Sequence, residues 1–78
     1  MEAIFITVNA PGLGAMDLKI PGYITGEEFL ATLSEITGQR IPATASIQAE
    51  PIGRILGNAQ TLESEGVETG ALLTILAA

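Results

Sequence analysis

The sequence predicts an α+β fold in which the elements run β-β-α-β-β-β, with the single helix lying across one face of a mixed sheet. Three observations carry this expectation. Two alternating apolar–polar runs flank a glycine-rich turn near the N-terminus, a helix start with reciprocal capping residues follows, and short strand signals broken by turn residues complete the chain.

The first run, Ile4-Phe5-Ile6-Thr7-Val8, is rich in β-branched residues. A period of two places Ile4, Ile6 and Val8 on one face, with Phe5 and Thr7 on the other. Pro11-Gly12-Leu13-Gly14 supplies turn chemistry, with Leu13 expected as an exposed apolar residue at the tip. Met16-Asp17-Leu18-Lys19-Ile20 then alternates again, so Met16, Leu18 and Ile20 point inward while Asp17 and Lys19 meet water. Two such runs around a tight turn predict a β-hairpin.

The helix start is the best-defined local signal. Thr25 followed by Glu28 fits a capping box, in which each side chain satisfies a backbone N–H that the helix leaves unpaired. Ile24 and Phe29 occupy the positions of a hydrophobic staple, and Glu27 and Glu28 complement the positive end of the helix dipole. Phe29, Leu30, Leu33 and Ile36 recur at helical spacing, and Gly38 is a natural stop, so the helix is expected from about Gly26 to Thr37.

Beyond Ile41-Pro42, Ala45 to Ala49 alternates and is broken by Pro51. Arg54-Ile55-Leu56 is a short strand candidate, Thr61 to Glu65 suits a single helical turn, and Ala71 to Leu76 reads as the last strand. A hairpin, a crossing helix and further strands together describe the β-grasp arrangement.

Composition narrows function by exclusion. Seventy-eight residues are enough for one domain spanning 1–78. An apolar fraction of 47% with mean hydropathy +0.46 is too high for a disordered segment. Three bases against nine acids, a net charge of −6, oppose nucleic-acid binding and attraction to anionic membranes. The absence of cysteine and histidine from the sequence removes disulfides, thiolate nucleophiles, the usual zinc ligand sets and histidine general bases. The expectation is a non-enzymatic protein with no cofactor and no metal. Met1-Glu2-Ala3 lacks the positive charge of a signal peptide, and no apolar run approaches the twenty or so residues of a membrane span. A cytoplasmic location without membrane insertion is therefore expected.

Several segments carry a resemblance. Ala3 to Val8 resembles the first strand of ubiquitin-like proteins. Arg40-Ile41-Pro42 falls where those proteins have an Ile-Pro turn after the helix. Thr61-Leu62, Gly66-Val67 and Leu73-Thr74-Ile75 are similar to their closing pattern. Within that superfamily, Met16 to Ile24 resembles the bacterial YukD/EsaB family associated with type VII secretion, in which an Asp-Leu pair precedes an apolar-Pro step and an aromatic residue. The stretch from Leu62 through Gly66-Val67 and Gly70 to Ile75 is similar too. The resemblance implies a small cytosolic accessory protein of a secretion machine that exports helical-hairpin substrates.

Ubiquitin-like modifiers and sulfur carriers need a C-terminal Gly-Gly whose carboxylate is activated. This sequence reads Leu76-Ala77-Ala78, and its one lysine is Lys19, so conjugation and sulfur transfer are disfavoured. Glu27, Glu28, Glu35, Glu63, Glu65 and Glu68 are accounted for by capping and solubility rather than by paired-carboxylate catalysis. Pro11-Gly12-Leu13-Gly14 lacks the lysine and hydroxyl of a phosphate loop and reads as a turn.

The apolar surplus lies on the outer sheet face. If Ile4, Ile6, Leu73 and Ile75 face the helix, then Phe5, Leu72 and Leu76 face away, and neighbouring first and last strands would gather them into a protein-binding or self-association patch. Ile55 joins them if the fourth strand's register allows. Three scattered surface residues, or a patch covered by a second copy, are the competing explanations. The expected function is a ubiquitin-like adaptor of a type VII (ESX/WXG100) secretion system that binds a cytosolic domain of the machinery. A modifier or sulfur carrier, and the ubiquitin-like cytosolic head of a secretion-channel membrane subunit, are the alternatives.

Overall fold

Alternation along the first two runs becomes a hairpin in the computed structural model, which describes residues 3–76. The elements are β1 (Ala3–Ala10), β2 (Gly14–Pro21), α1 (Gly26–Thr37), β3 (Ser46–Glu50), β4 (Arg54–Ile55) and β5 (Leu72–Leu76). They form a five-stranded sheet in the order β2-β1-β5-β3-β4. β1 and β5 run parallel, and the other neighbours are antiparallel. This is the β-grasp topology that the element order predicts.

Register explains which residues are buried. Ile6, Val8 and Ala10 of β1, Ile20 of β2, Ile47 and Ala49 of β3, and Leu73 and Ile75 of β5 all face α1. Phe29, Leu30 and Leu33 answer them from the helix and are completely buried. Leu56, Leu62, Val67 and Ala71 close the end of this core. Met16 and Leu18 face the same side but stay half-buried, because β2 is the outermost strand.

α1 begins as its capping residues dictate. The Glu28 N–H donates to Thr25 Oγ1 at 3.1 Å, and the Thr25 N–H donates to Glu28 Oε1 at 2.8 Å. The helix ends at Gly38, whose φ of 72° is the left-handed geometry that suits glycine and whose N–H donates to the Ser34 carbonyl at 3.0 Å.

Three local expectations are corrected. Ile36 is 55% exposed rather than part of the core stripe. It sits in the last turn, one helical step from the direction of Thr37, whose half-buried side chain folds back onto the Leu33 carbonyl. Leu13 is half-buried, because the turn carries it back over the end of the core beside Ile41 and Pro42. The single helical turn expected at 61–65 is present: the Glu65 N–H donates to the Thr61 carbonyl at 3.1 Å and shares the Leu62 carbonyl at 3.2 Å. The later strands are shifted or shortened: β3 starts at Ser46, β4 stops at Ile55 and β5 starts at Leu72.

Candidate functional site

The outer sheet face is built by β1 and β5. Thr7 pairs with Leu72, Val8 with Leu73 and Asn9 with Thr74. Phe5 lies two residues before Thr7, so it is the diagonal neighbour of Leu72 on this face. The Phe5 N–H donates to Thr69 Oγ1 at 3.2 Å, and its carbonyl accepts from the Gly70 N–H at 2.8 Å. A Cβ added at Gly70 would meet no other heavy atom within 4 Å, so the space there is open. Phe5 is 57% exposed and Leu72 37%. The Lys19 ammonium stands 5.7 Å from the centre of the Phe5 ring, a cation–π contact from the neighbouring strand.

Leu76 is 40% exposed on the same face but four residues further along β5, roughly 13 Å at strand spacing. Thr74 intervenes, flanked by Asn9 and Gln48. Ile55 also points outward, opposite Gln48 on the far edge. The face therefore presents an apolar pair, Phe5 and Leu72, at one end. A polar band of Thr7, Asn9, Thr74 and Gln48 follows, with Leu76 and Ile55 beyond it. Thr7 Oγ1 donates to Asp17 Oδ1 at 2.8 Å within that band.

The opposite flank is occupied by the protein's own backbone. The Gly26 N–H donates to the Gln60 carbonyl at 3.1 Å and the Glu27 N–H to the Asn58 carbonyl at 3.0 Å. With the Glu28 N–H on Thr25 Oγ1 and the Phe29 N–H on the Thr25 carbonyl, the four leading donors of α1 are all satisfied. The start of the helix thus has no free N–H group with which to hold an anion. Asn58 Nδ2 bonds the carbonyls of Ala45 and Ala43 at 2.8 and 3.3 Å, fixing the loop that does this.

Glu65 is the polar residue that the sequence reading missed. Its carboxylate accepts from the Gly57 N–H at 2.6 Å and from Arg54 Nη1 and Nη2 at 3.3 Å, while Arg54 Nη2 also donates to the Glu65 carbonyl at 2.9 Å. The Gly57 N–H and then Arg54 stabilise the charged form and hold the carboxyl below its ordinary pKa of 4.5. Glu65 is a tie between β4 and the 61–67 turn, more specific than a solubilising charge. Nothing in its local pattern signals this, because its partners lie eight and eleven residues away.

Among the described residues, no group of three or more acidic side chains is placed to hold a metal ion. None of their helices is long and apolar enough to cross a membrane.

Helix, strand order and register together define a ubiquitin-like β-grasp protein. A ubiquitin-based designed protein superposes with a TM-score of 0.77 at 22% identity, covering 96% of this chain and 88% of its own. The ubiquitin-like domain of an Arabidopsis thaliana protein gives 0.80 at 13%, covering 99% and 79%. Caldiarchaeum subterraneum ubiquitin gives 0.71 at 19%, covering 97% and 94%. At these identities the likeness concerns the fold. No curated protein sequence matches the chain. The family assignment comes from a family model: the chain belongs to the family of protein YukD of the WXG100 protein secretion system (Wss), whose model matches residues 3–75. It is thus a ubiquitin-like, secretion-associated protein, as the resemblance implied.

Proposed function

We propose that this protein is a non-enzymatic, cytoplasmic adaptor of a type VII secretion system, one ubiquitin-like domain over residues 1–78 that docks its outer sheet face onto a cytosolic domain of the machinery. The supporting observation is the exposed Phe5–Leu72 pair, set beside a glycine and a polar band. Aromatic anchors of this kind commonly dominate protein interfaces. Leu76 and Ile55 extend the contact toward the far edge.

The test is affinity recovery of secretion-machinery domains from native lysate with the Leu72→Asp variant. Leu72 is at the surface, so the circular-dichroism spectrum and melting should be retained while recovery is lost. Undiminished recovery by a folded Leu72→Asp protein overturns the assignment. Recovery of activating enzymes alone would instead favour a modifier.

A further inference from the structure

β2 forms one edge of the sheet along eight residues. Its hydrogen-bonding parity follows from β1. The Thr7 N–H donates to the Ala71 carbonyl and the Phe5 carbonyl accepts from Gly70, so the backbone groups of Phe5 and Thr7 point toward β5. Those of Ile4, Ile6 and Val8 must then point toward β2, where they meet Ile20, Leu18 and Met16. The backbone N–H and C=O groups of Ala15, Asp17 and Lys19 consequently point out of the sheet. Among the described residues nothing pairs with them. A long open edge is a template for another strand.

We infer that β2 pairs antiparallel with β2 of a second copy about a two-fold axis at Leu18, making one continuous sheet from two molecules. The charges select this register. With the axis at Leu18, Asp17 stands opposite the partner's Lys19, and Lys19 opposite the partner's Asp17. An axis at Asp17 or at Lys19 would also match outward-facing backbone groups, but it places two like charges directly opposite each other, which is destabilising.

The backbone agrees with the same register. Asp17 and the partner's Lys19 both carry outward-facing groups, so each such pair exchanges two hydrogen bonds. The Ala15 N–H adds a bond to the carbonyl of the partner's Pro21, and the missing N–H of proline ends the ladder there. Leu18 falls at the position without hydrogen bonds, where opposing Cα atoms approach to about 4.5 Å. There the two Leu18 side chains meet on the helix-facing side, with Met16 beside the partner's Ile20. Met16 and Leu18, half-buried in one molecule, complete their burial in the pair. The pairing is isologous and closed, so it stops at a dimer. It leaves Phe5 and Leu72 uncovered, two sets on one extended sheet.

The experiment is sedimentation of the full chain over a concentration series near physiological ionic strength, where a Debye length of about 8 Å screens the repulsion between acidic copies. The expected result is a dimer that dissociates on dilution. Asp17→Lys and Lys19→Asp each oppose like charges and should weaken it by roughly tenfold or more. An equimolar mixture of the two variants should dimerise again, as should the Asp17→Lys, Lys19→Asp double variant. Amide exchange in the unaltered chain provides a readout that needs no variant: Ala15, Asp17 and Lys19 should slow as concentration rises. A chain monomeric at about 1 mM overturns the pairing. So does a dimer indifferent to both single changes, a mixture of folded variants that does not re-form it, or exchange at these amides independent of concentration.

Discussion

β4 and β2 bound the same sheet, yet one edge is fastened to the protein and the other is left open. β4 has two residues, and its Arg54 is bound by Glu65, whose carboxylate also takes the Gly57 N–H. The loop that follows folds back to satisfy the start of α1 through Asn58 and Gln60. β2 is eight residues long, and its outward N–H and C=O groups meet no protein partner among the described residues. The short β4 edge is tied to the 61–67 turn through the Arg54 side chain rather than by a further strand. The chain after β4 covers the helix start and the core end, and none of it returns to β2. The comparison predicts that changes on the tied side cost stability, whereas changes on the open edge cost association.

Leu62→Ala should have the largest effect. Leu62 is 1% exposed and anchors the tied side, where its N–H also donates to the Ile24 carbonyl. The expected loss is about 2–5 kcal/mol, read by urea denaturation. Gly26→Ala comes next. An added Cβ would stand 3.0 Å from Asn58 Cα and 3.3 Å from Ile47 Cδ1, and the first of these is backbone that cannot swing aside. A loss of about 1–3 kcal/mol is expected despite alanine's better helix propensity, and a neutral result would show that the 58–61 loop is not seated on α1.

Glu65→Gln sharpens the contrast through pH. Because the folded carboxyl is held below 4.5, its contribution is fully present above that value and is lost as pH falls through the lowered folded pKa. The variant should melt below the parent at neutral pH, and the gap should close in acid. A gap that is unchanged across this range would refute the tie between Glu65, Gly57 and Arg54. The smallest stability effect belongs to the open edge. Asp17→Lys should change folding stability by no more than about 0.5 kcal/mol even where it abolishes the dimer. A large loss of stability would show that Asp17 is structural, through its bond from Thr7.

The hairpin and helix were legible because their signals are local. Alternation, a turn and a capping box need only neighbours in sequence, and they predicted which faces of β1 and β2 are buried. Ile36 misled because helical spacing gives direction but not reach: it follows the stripe's period in a turn where Thr37, not Ile36, lies over Leu33. Of the candidate patch, the outward direction of Phe5, Leu72 and Leu76 followed from parity. Their distances did not. The parallel β1–β5 register brings Phe5 to Leu72 and leaves Leu76 beyond Thr74.

By itself, the sequence determined the element order, the helix start, the core faces of the strands and the acidic surface devoid of cysteine and histidine. These depend on periodicity and residue chemistry, which are written along the chain. Only the tertiary structure decided which edge is tied to the rest of the chain, which apolar residues stand together, and that Glu65 is bound while Asp17 and Lys19 line an open strand. Those outcomes depend on contacts between segments far apart in sequence. The spacing of Asp17 and Lys19 around Leu18 is visible in any copy of the sequence, and it acquires a meaning only when nothing pairs with β2.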